Sequence, residues 1–485
     1  MSTTTIERTI TRNFVNGDWV MISGQDLIDV FDSNTGKVIG QAPASTAADA
    51  DLAVAAAKAA LPAWRALSPA ERGRYLRAIA KGLEERQEEL AQSIAREVGS
   101  SLKLSRGSQT ATPIHSFNTA AEIAEKYDYR QPLNNSWIVR EPMGVVGAIT
   151  AWNFPLHLVT VKAAFAMAAG NTVVVKPSEV APLTAGILCE IVAKAGLPAG
   201  VFNVVFGTGP EVGEAVVKNP DVNMISFTGS TRAGARIGEL AAGQIKKVAL
   251  ELGGKSPLII LPSADLEKAV KFGVADCFTN NGQRCDALTR MVVPRNRLGE
   301  AEEIAVRTVS AMTVGASTAD STHIGPVVSR SQRDRIVQYI QLGIDEGATL
   351  LTGGTQPPEL STELADGFFI QPTIFSEVEP SMTIAQDEIF GPVLAIQAYE
   401  DVQEAIEIAN NTVYGLHASV WAKDDAEAID IAAKIETGMV TINDGVFNPL
   451  APFGGYKQSG LGREFGLFGF EDFLEIKTMQ TGKKL

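Results

Sequence analysis

The run from Gly144 to Glu179, GVVGAITAWNFPLHLVTVKAAFAMAAGNTVVVKPSE, reads as strand, helix, strand. VVGAI and TVVVK are short apolar runs of strand length, and the longer segment between them has room for a helix. The pattern continues with the candidate strands FNVVF, MISF and KVALE, separated by segments such as TAGILCEIVAKAG that carry helical periodicity. Strands alternating with helices imply parallel crossover units and a doubly wound sheet. Ligands in such sheets bind beyond the carboxyl ends of the strands, so the loops after these strands are the places to look for chemistry.

A second alternating series begins with PLIIL at 257 to 261, contains FTNNGQRCDALTR at 278 to 290, and runs through MVTIN at 439 to 443. The expected fold is therefore α/β: two doubly wound, Rossmann-like domains plus a small β arm. The first domain takes residues 1 to 126 and 143 to 253 with 446 to 468, and the second takes 254 to 445. Gly253 and Gly254 stand between the two series as a candidate hinge. The segments 127 to 142 (YDYRQPLNNSWIVREP) and 469 to 485 fall outside either core and read as extended oligomerisation strands. Exposed edges are seldom left open, so pairing across subunits into a homodimer or homotetramer is expected. Residues 46 to 100 read as helical scaffold, with Ser68, Pro69 and Glu71 forming a capping box ahead of the apolar positions Leu76, Ile79, Ala80 and Leu83.

Composition excludes several classes. The 485 residues are too many for one compact core. A net charge of −14 disfavours a nucleic acid or an anionic membrane as partner. The most apolar stretch, LVTVKAAFAMAAGNTVVV, is interrupted by Lys162, Gly170 and Asn171, so no membrane span is expected. The N-terminus, MSTTTIERTITR, has no apolar segment of a secretory signal. Cys189, Cys277 and Cys285 show neither metal spacing nor a disulfide framework, and His115, His157, His323 and His417 form no cluster with them. A cytoplasmic protein without zinc is the expectation.

Cys285 stands apart from a core cysteine. Asn280, Asn281 and Gly282 form a polar turn that ends the helix through AVKFGVADCF, and Gln283 and Arg284 lead into the thiol. A thiol beside a guanidinium and served by a base can reach the thiolate, the nucleophilic form. Other motifs lie at strand ends. In FGTGPEVG, Gly207, Gly209 and Gly213 make either a tight turn or a phosphate loop, one residue longer than the usual dinucleotide fingerprint. SFTGSTRAGARIG repeats the arrangement with Gly229, Ser230 and Gly234 at a helix start whose free N–H groups suit a pyrophosphate. Two such turns in one sheet favour a dinucleotide.

Lys176 and Glu179 in VVVKPSE are either a solvated lysine and a capping glutamate or a grip on an adenosine ribose, where the carboxylate accepts from both hydroxyls and repels a 2′-phosphate. Asn153 in ITAWNFPLH is a turn residue or an oxyanion donor. Glu251 in ELGGKSP, at the end of KVALE, is a candidate base at a position where surface glutamates are commoner.

Taken together, AWNFPL, KPSE, FTGST, ELGGKSP, NGQRC, EIFGPV and PFGGYKQSGLGRE resemble, in order, the motifs of the NAD(P)-dependent aldehyde dehydrogenase superfamily, over nearly the whole chain. The resemblance implies that Cys285 is the nucleophile, Glu251 the general base and Asn153 the side-chain half of the oxyanion hole. It implies that Lys176 and Glu179 contact the adenosine ribose, that Trp152, Gly229 and Ser230 lie by the pyrophosphate, and that Glu388 and Phe390 position the nicotinamide ribose and ring. The first domain would then bind NAD and the second carry the thiol. His157, Val161, Phe447 and Phe453 would wall the substrate tunnel, with Arg284 and Asp286 flanking the nucleophile. The implied reaction is oxidation of an aldehyde to its acid through a thiohemiacetal and a thioester, with water as acyl acceptor. A CoA-acylating semialdehyde dehydrogenase fits less well because Glu251, the water activator, is retained. A non-redox thiol hydrolase would need a histidine near the thiol and no dinucleotide loops. A non-enzymatic protein on this fold would have no use for Cys285, Glu251 and Asn153 together.

Overall fold

The computed structural model describes residues 8–24 and 26–485. Its framework is an eight-stranded and a seven-stranded sheet, each largely parallel. In the first, the parallel strands Val145–Ile149, Thr172–Lys176, Phe202–Val204, Met224–Thr228 and Lys247–Glu251 are ordered so that Val145–Ile149 lies between Thr172–Lys176 and Met224–Thr228. The chain therefore winds outward first one way and then the other. The order reverses between Val145–Ile149 and Met224–Thr228, and a crevice opens beyond their carboxyl ends.

Alternation across the pleat explains why these strands are apolar throughout. Val146, Ala148, Val173 and Val175 enter one hydrophobic core, while Val145, Ile149 and Val174 enter the core on the opposite face. Both faces are covered by helices, as parallel sheets require. The helix Pro155–Ala168 is buried on nearly every side, and the charge of Lys162 within it is met by an ion pair to Glu464. Among the described residues, no helix is long and apolar enough to cross a membrane.

Two additions to this sheet were not evident in the sequence. Arg12–Val15 and Asp18–Met21 form an antiparallel hairpin on one edge, turned by Asn16 (φ 54°) and Gly17 (φ 80°). Positive φ at both turn residues suits the right-handed twist of the paired strands. Gly460–Leu461 returns to pair antiparallel with Lys247–Glu251 on the other edge.

The seven-stranded sheet runs Thr349–Thr352, Thr373–Ser376, Val393–Tyr399, Arg290–Pro294, Pro257–Ile260, His417–Trp421, Met439–Ile442, and only the first of these is antiparallel. Ser136–Pro142 pairs with both Arg130–Leu133 and Leu474–Gln480 in a separate three-stranded sheet. The two extended segments thus pair with each other within one chain, which leaves only the outer edges open. A further three-stranded sheet joins Arg8–Thr9, Val38–Pro43 and Leu27–Phe31.

The helical scaffold follows its sequence signals. Helix Pro69–Glu85 begins with Ser68 N donating to Glu71 Oε2 (2.8 Å) and Glu71 N donating to Ser68 Oγ (3.3 Å). Leu76, Ile79 and Leu83 are fully buried along one face. Each such side chain contributes roughly 1.5–3 kcal/mol by leaving water.

Candidate active site

A cavity of ≈ 650 Å³ opens between the two large sheets, and it is lined by Trp152, Asn153, Lys176, Glu179, Gly229, Ser230, Glu251, Cys285, Glu388 and Phe390. The first sheet contributes from the carboxyl ends of its strands. The second sheet contributes from the opposite end: Cys285 precedes Arg290–Pro294, and Glu388 and Phe390 precede Val393–Tyr399. The carboxyl-end rule therefore locates only the first sheet's half of the site.

The loop before Cys285 is fixed by unusual backbone. Helix Leu266–Phe278 ends at Thr279, and Asn280 (φ 53°) and Asn281 (φ 60°) both adopt the left-handed conformation. Asparagine tolerates this region better than most residues, and here its side chains are fully used. Asn281 Nδ2 donates to the carbonyls of Gly99 (2.9 Å) and Pro326 (2.8 Å).

Arg284 does not play the part that adjacency suggests. Its guanidinium is committed to Asp276 (3.0 Å) and Asp286 (2.9 Å), so two carboxylates absorb the positive charge. Burial pushes the Cys285 thiol well above its ordinary value, the carboxylates of Asp286, Glu251 and Glu388 push in the same direction, and Arg284 opposes them without reversing the shift. The resting group is a thiol, and thiolate formation requires a base close by.

Glu251 lines the same cavity as the thiol. It is buried, and among the described residues neither carboxylate oxygen has a hydrogen-bond partner. Burial raises its pKa well above the usual carboxylate range; nearby Glu464 adds to the effect, while Lys162 and Arg463 oppose it. An unpaired buried carboxylate is costly, which is the pattern expected of a group kept for proton transfer.

Gly253 and Gly254, the candidate hinge, also let segments of the chain approach closely. A Cβ at Gly253 would lie 2.4 Å from Glu388 Oε2, and one at Gly254 would lie 2.2 Å from the Cys285 carbonyl oxygen. Gly254 N donates to Glu388 Oε1 (2.9 Å), and burial raises the Glu388 pKa to about 7.

At the far end of the cavity Lys176 Nζ donates to Glu179 Oε2 (2.6 Å), both at the end of strand Thr172–Lys176. Ser230 caps the twelve-residue helix Thr231–Ala242, accepting from Ala233 N at 3.3 Å. The buried hydroxyl of Thr228, beside Gly229, has no partner among the described residues. A carboxylate for ribose hydroxyls, a helix N-terminus for phosphates and an unsatisfied hydroxyl between them fit a dinucleotide. The other glycine loop is less developed: it opens a π-type turn over Gly209–Gly213 and a five-residue helix, and only Gly209 reaches the cavity.

Phe390 adopts a left-handed backbone (φ 61°) and meets Trp152 edge to face at 5.3 Å. Two residues with no local sequence signal hold it there: Gln332 Nε2 donates to the Phe390 carbonyl (2.9 Å), and Arg335 donates to the Glu388 carbonyl (2.9 Å).

Toward the opposite mouth the wall is aromatic. His157 stacks on Phe465 at 5.4 Å, and Phe447 packs against both Phe465 (5.6 Å) and Phe453 (6.4 Å). Burial lowers the His157 pKa to about 4, so its ring is neutral at physiological pH. Val161 is buried in the core and does not line the cavity; Leu104, Ser108, Thr112 and Leu158 do. Among the described residues, no group of three metal-ligating side chains is found.

The description "aldehyde dehydrogenase family" belongs to the family model that matches residues 19–479. A 3-succinoylsemialdehyde-pyridine dehydrogenase from Pseudomonas sp is 44% identical over 467 residues, which is 96% of this chain and 97% of that protein. An aldehyde dehydrogenase C mutant from Pseudomonas syringae, solved with NAD+ and octanal, superposes with a TM-score of 0.95 at 44% identity, covering 97% of this chain and 96% of that one. The Mycobacterium tuberculosis aldehyde dehydrogenase solved with NAD+ also gives 0.95, at 42% identity and 98% and 99% coverage. With the motifs in order along the chain and this agreement over almost its full length, the chain belongs to the aldehyde dehydrogenase family.

Proposed function

We infer that the protein oxidises an aldehyde to the carboxylic acid with NAD, through a covalent cysteine intermediate. The observation that supports this most is the meeting of Cys285, Asn153 and the unpartnered, buried Glu251 in one cavity. The Cys285 thiol passes its proton to Glu251, and the sulfur adds to the aldehyde carbon. The new oxyanion is held by the Asn153 amide and the Cys285 N–H. Bound NAD supplies the acceptor for the hydride that leaves this carbon, which makes the thiohemiacetal a thioester. Glu251 releases that proton to solvent and, ionised again, takes one from water, whose oxygen attacks the acyl carbon; the C–S bond breaks, and the departing sulfur regains its proton from Glu251.

The aromatic wall and the neutralised charge of Arg284 support uncharged aliphatic or aromatic aldehydes over small acidic semialdehydes. The octanal bound in the Pseudomonas syringae structure is of this kind. NADH formation measured across an aldehyde panel without CoA tests the reading; a rate that appears only with CoA would overturn it.

The Lys176 and Glu179 pair supports NAD over NADP, because the carboxylate can accept from a ribose hydroxyl and repels a 2′-phosphate. Glu179→Thr is expected to narrow the ratio of kcat/KM for NAD over NADP by about tenfold or more. Equal efficiency with the two cofactors in the unaltered protein would contradict this assignment. A cytoplasmic homodimer or homotetramer completes the reading. Its supports are the unpaired cysteines and the exposed outer edges at Arg130–Leu133 and Leu474–Gln480.

A further inference from the structure

Beneath Asn153 lies a buried polar network that the reaction does not use directly. Gln109 is fully buried and ends a π-type turn, Ser105–Gln109, in which Gly107 departs from helical geometry (φ −81°, ψ −115°). From there Gln109 Nε2 donates to the Asn153 main-chain carbonyl (2.9 Å) and to Ser100 Oγ (3.0 Å). The same Asn153 carbonyl receives a second amide from the other side, Asn280 Nδ2 at 3.1 Å. Ser100 Oγ in turn donates to Asn280 Oδ1, which closes the ring. The Asn153 amide meanwhile points toward the nucleophile loop, with Nδ2 donating to the Gln283 carbonyl at 3.1 Å.

Two side-chain amides from distant parts of the chain thus converge on one carbonyl. That carbonyl belongs to the residue whose side chain must point at the reacting oxygen. Turning the Asn153 peptide moves its Cα–Cβ vector and so the amide. π-type turns and left-handed asparagines are irregular features that persist where something holds them, and here the ring of hydrogen bonds joins both. We propose that Gln109 is a positioning residue for oxyanion stabilisation: it fixes the Asn153 peptide against Asn280 and so sets the aim of the Asn153 amide. The inference rests on the assignment of Asn153 as oxyanion donor.

The test compares Asn153→Ala, Gln109→Met and the double variant in single-turnover NADH formation, with Cys285 alkylation by iodoacetamide and NAD affinity as controls. Asn153→Ala is expected to slow NADH formation about 10²- to 10³-fold, the usual loss of one oxyanion donor. Gln109→Met, which keeps the length but not the donor, is expected to slow it about 10- to 10²-fold. Alkylation and NAD affinity stay within about twofold, because neither needs the oxyanion donor, and the double variant is no slower than Asn153→Ala. Gln109→Leu, of similar bulk and without a donor, gives the same pattern if Gln109→Met does not fold. Unaltered turnover in Asn153→Ala would remove Asn153 from the site and the proposal with it. A slow Asn153→Ala beside a full-speed Gln109→Met, or multiplicative losses in the double variant, would overturn the positioning role alone.

Discussion

Replacing Cys285 with alanine abolishes NADH formation with every aldehyde, while NAD binding persists. Without the sulfur there is no covalent adduct, so the aldehyde carbon never reaches the tetrahedral state from which hydride departs. The loss is expected to exceed about 10⁴-fold, the scale seen when a covalent nucleophile is removed. The substitution is small, and Cys285 sits at the cavity rather than in a core cluster, so the fold has little reason to change. NAD titration by quenching of protein fluorescence checks that the variant is folded. A measurable steady rate in Cys285→Ala would overturn the covalent mechanism.

Glu251→Gln separates the two halves of the reaction. The amide matches the carboxyl in shape but cannot take a proton from water, so hydrolysis of the thioester stops while its formation continues more slowly. Rapid mixing should show a burst of NADH approaching one equivalent per site, followed by a steady rate reduced by about 10²-fold or more. The burst itself slows because the proposed base is lost while burial, Asp286 and Glu388 still hold the thiol in its protonated form. Unchanged steady-state turnover would assign water activation to another group.

The sheets and most of the cavity-lining positions were legible in the sequence, and the reasons are physical. Parallel strands buried on both faces leave unbroken apolar runs, so VVGAI and TVVVK announced themselves; the edge hairpin around Asn16 and Gly17 is short, half exposed and left no such run. Asn280-Asn281-Gly282 declared a helix end because those residue types accept left-handed backbone. What the chain order does not reveal is where a side chain is committed. Arg284 stands next to the thiol in sequence, yet two aspartates hold its charge, one of them eight residues earlier. Gly253 and Gly254 also face Glu388 and the Cys285 carbonyl, distant in sequence, which occupy the space a Cβ would need. Val161 shares a helix with His157, but its position on that helix faces the core. Gln332 and Arg335 hold the loop at Glu388 and Phe390 through main-chain carbonyls, and no local pattern marks them. Leu104, Ser108 and Thr112 reach the cavity around an irregular turn that helical periodicity does not describe.

The unpartnered carboxyl of Glu251 also ties the folding equilibrium to pH. In the unfolded chain this group titrates near the ordinary value of about 4.3, whereas burial holds its folded pKa well above that. Its favourable contribution is therefore complete below about pH 4.3 and is lost as pH rises through the folded value, at up to about 1.4 kcal/mol per unit. Catalysis runs the other way, since only the ionised carboxylate can accept a proton from water. The melting temperature of the unaltered protein should accordingly fall relative to Glu251→Gln as pH is raised from about 5 to about 8. Over that interval the ionisation that the proposed reaction needs makes the fold less durable.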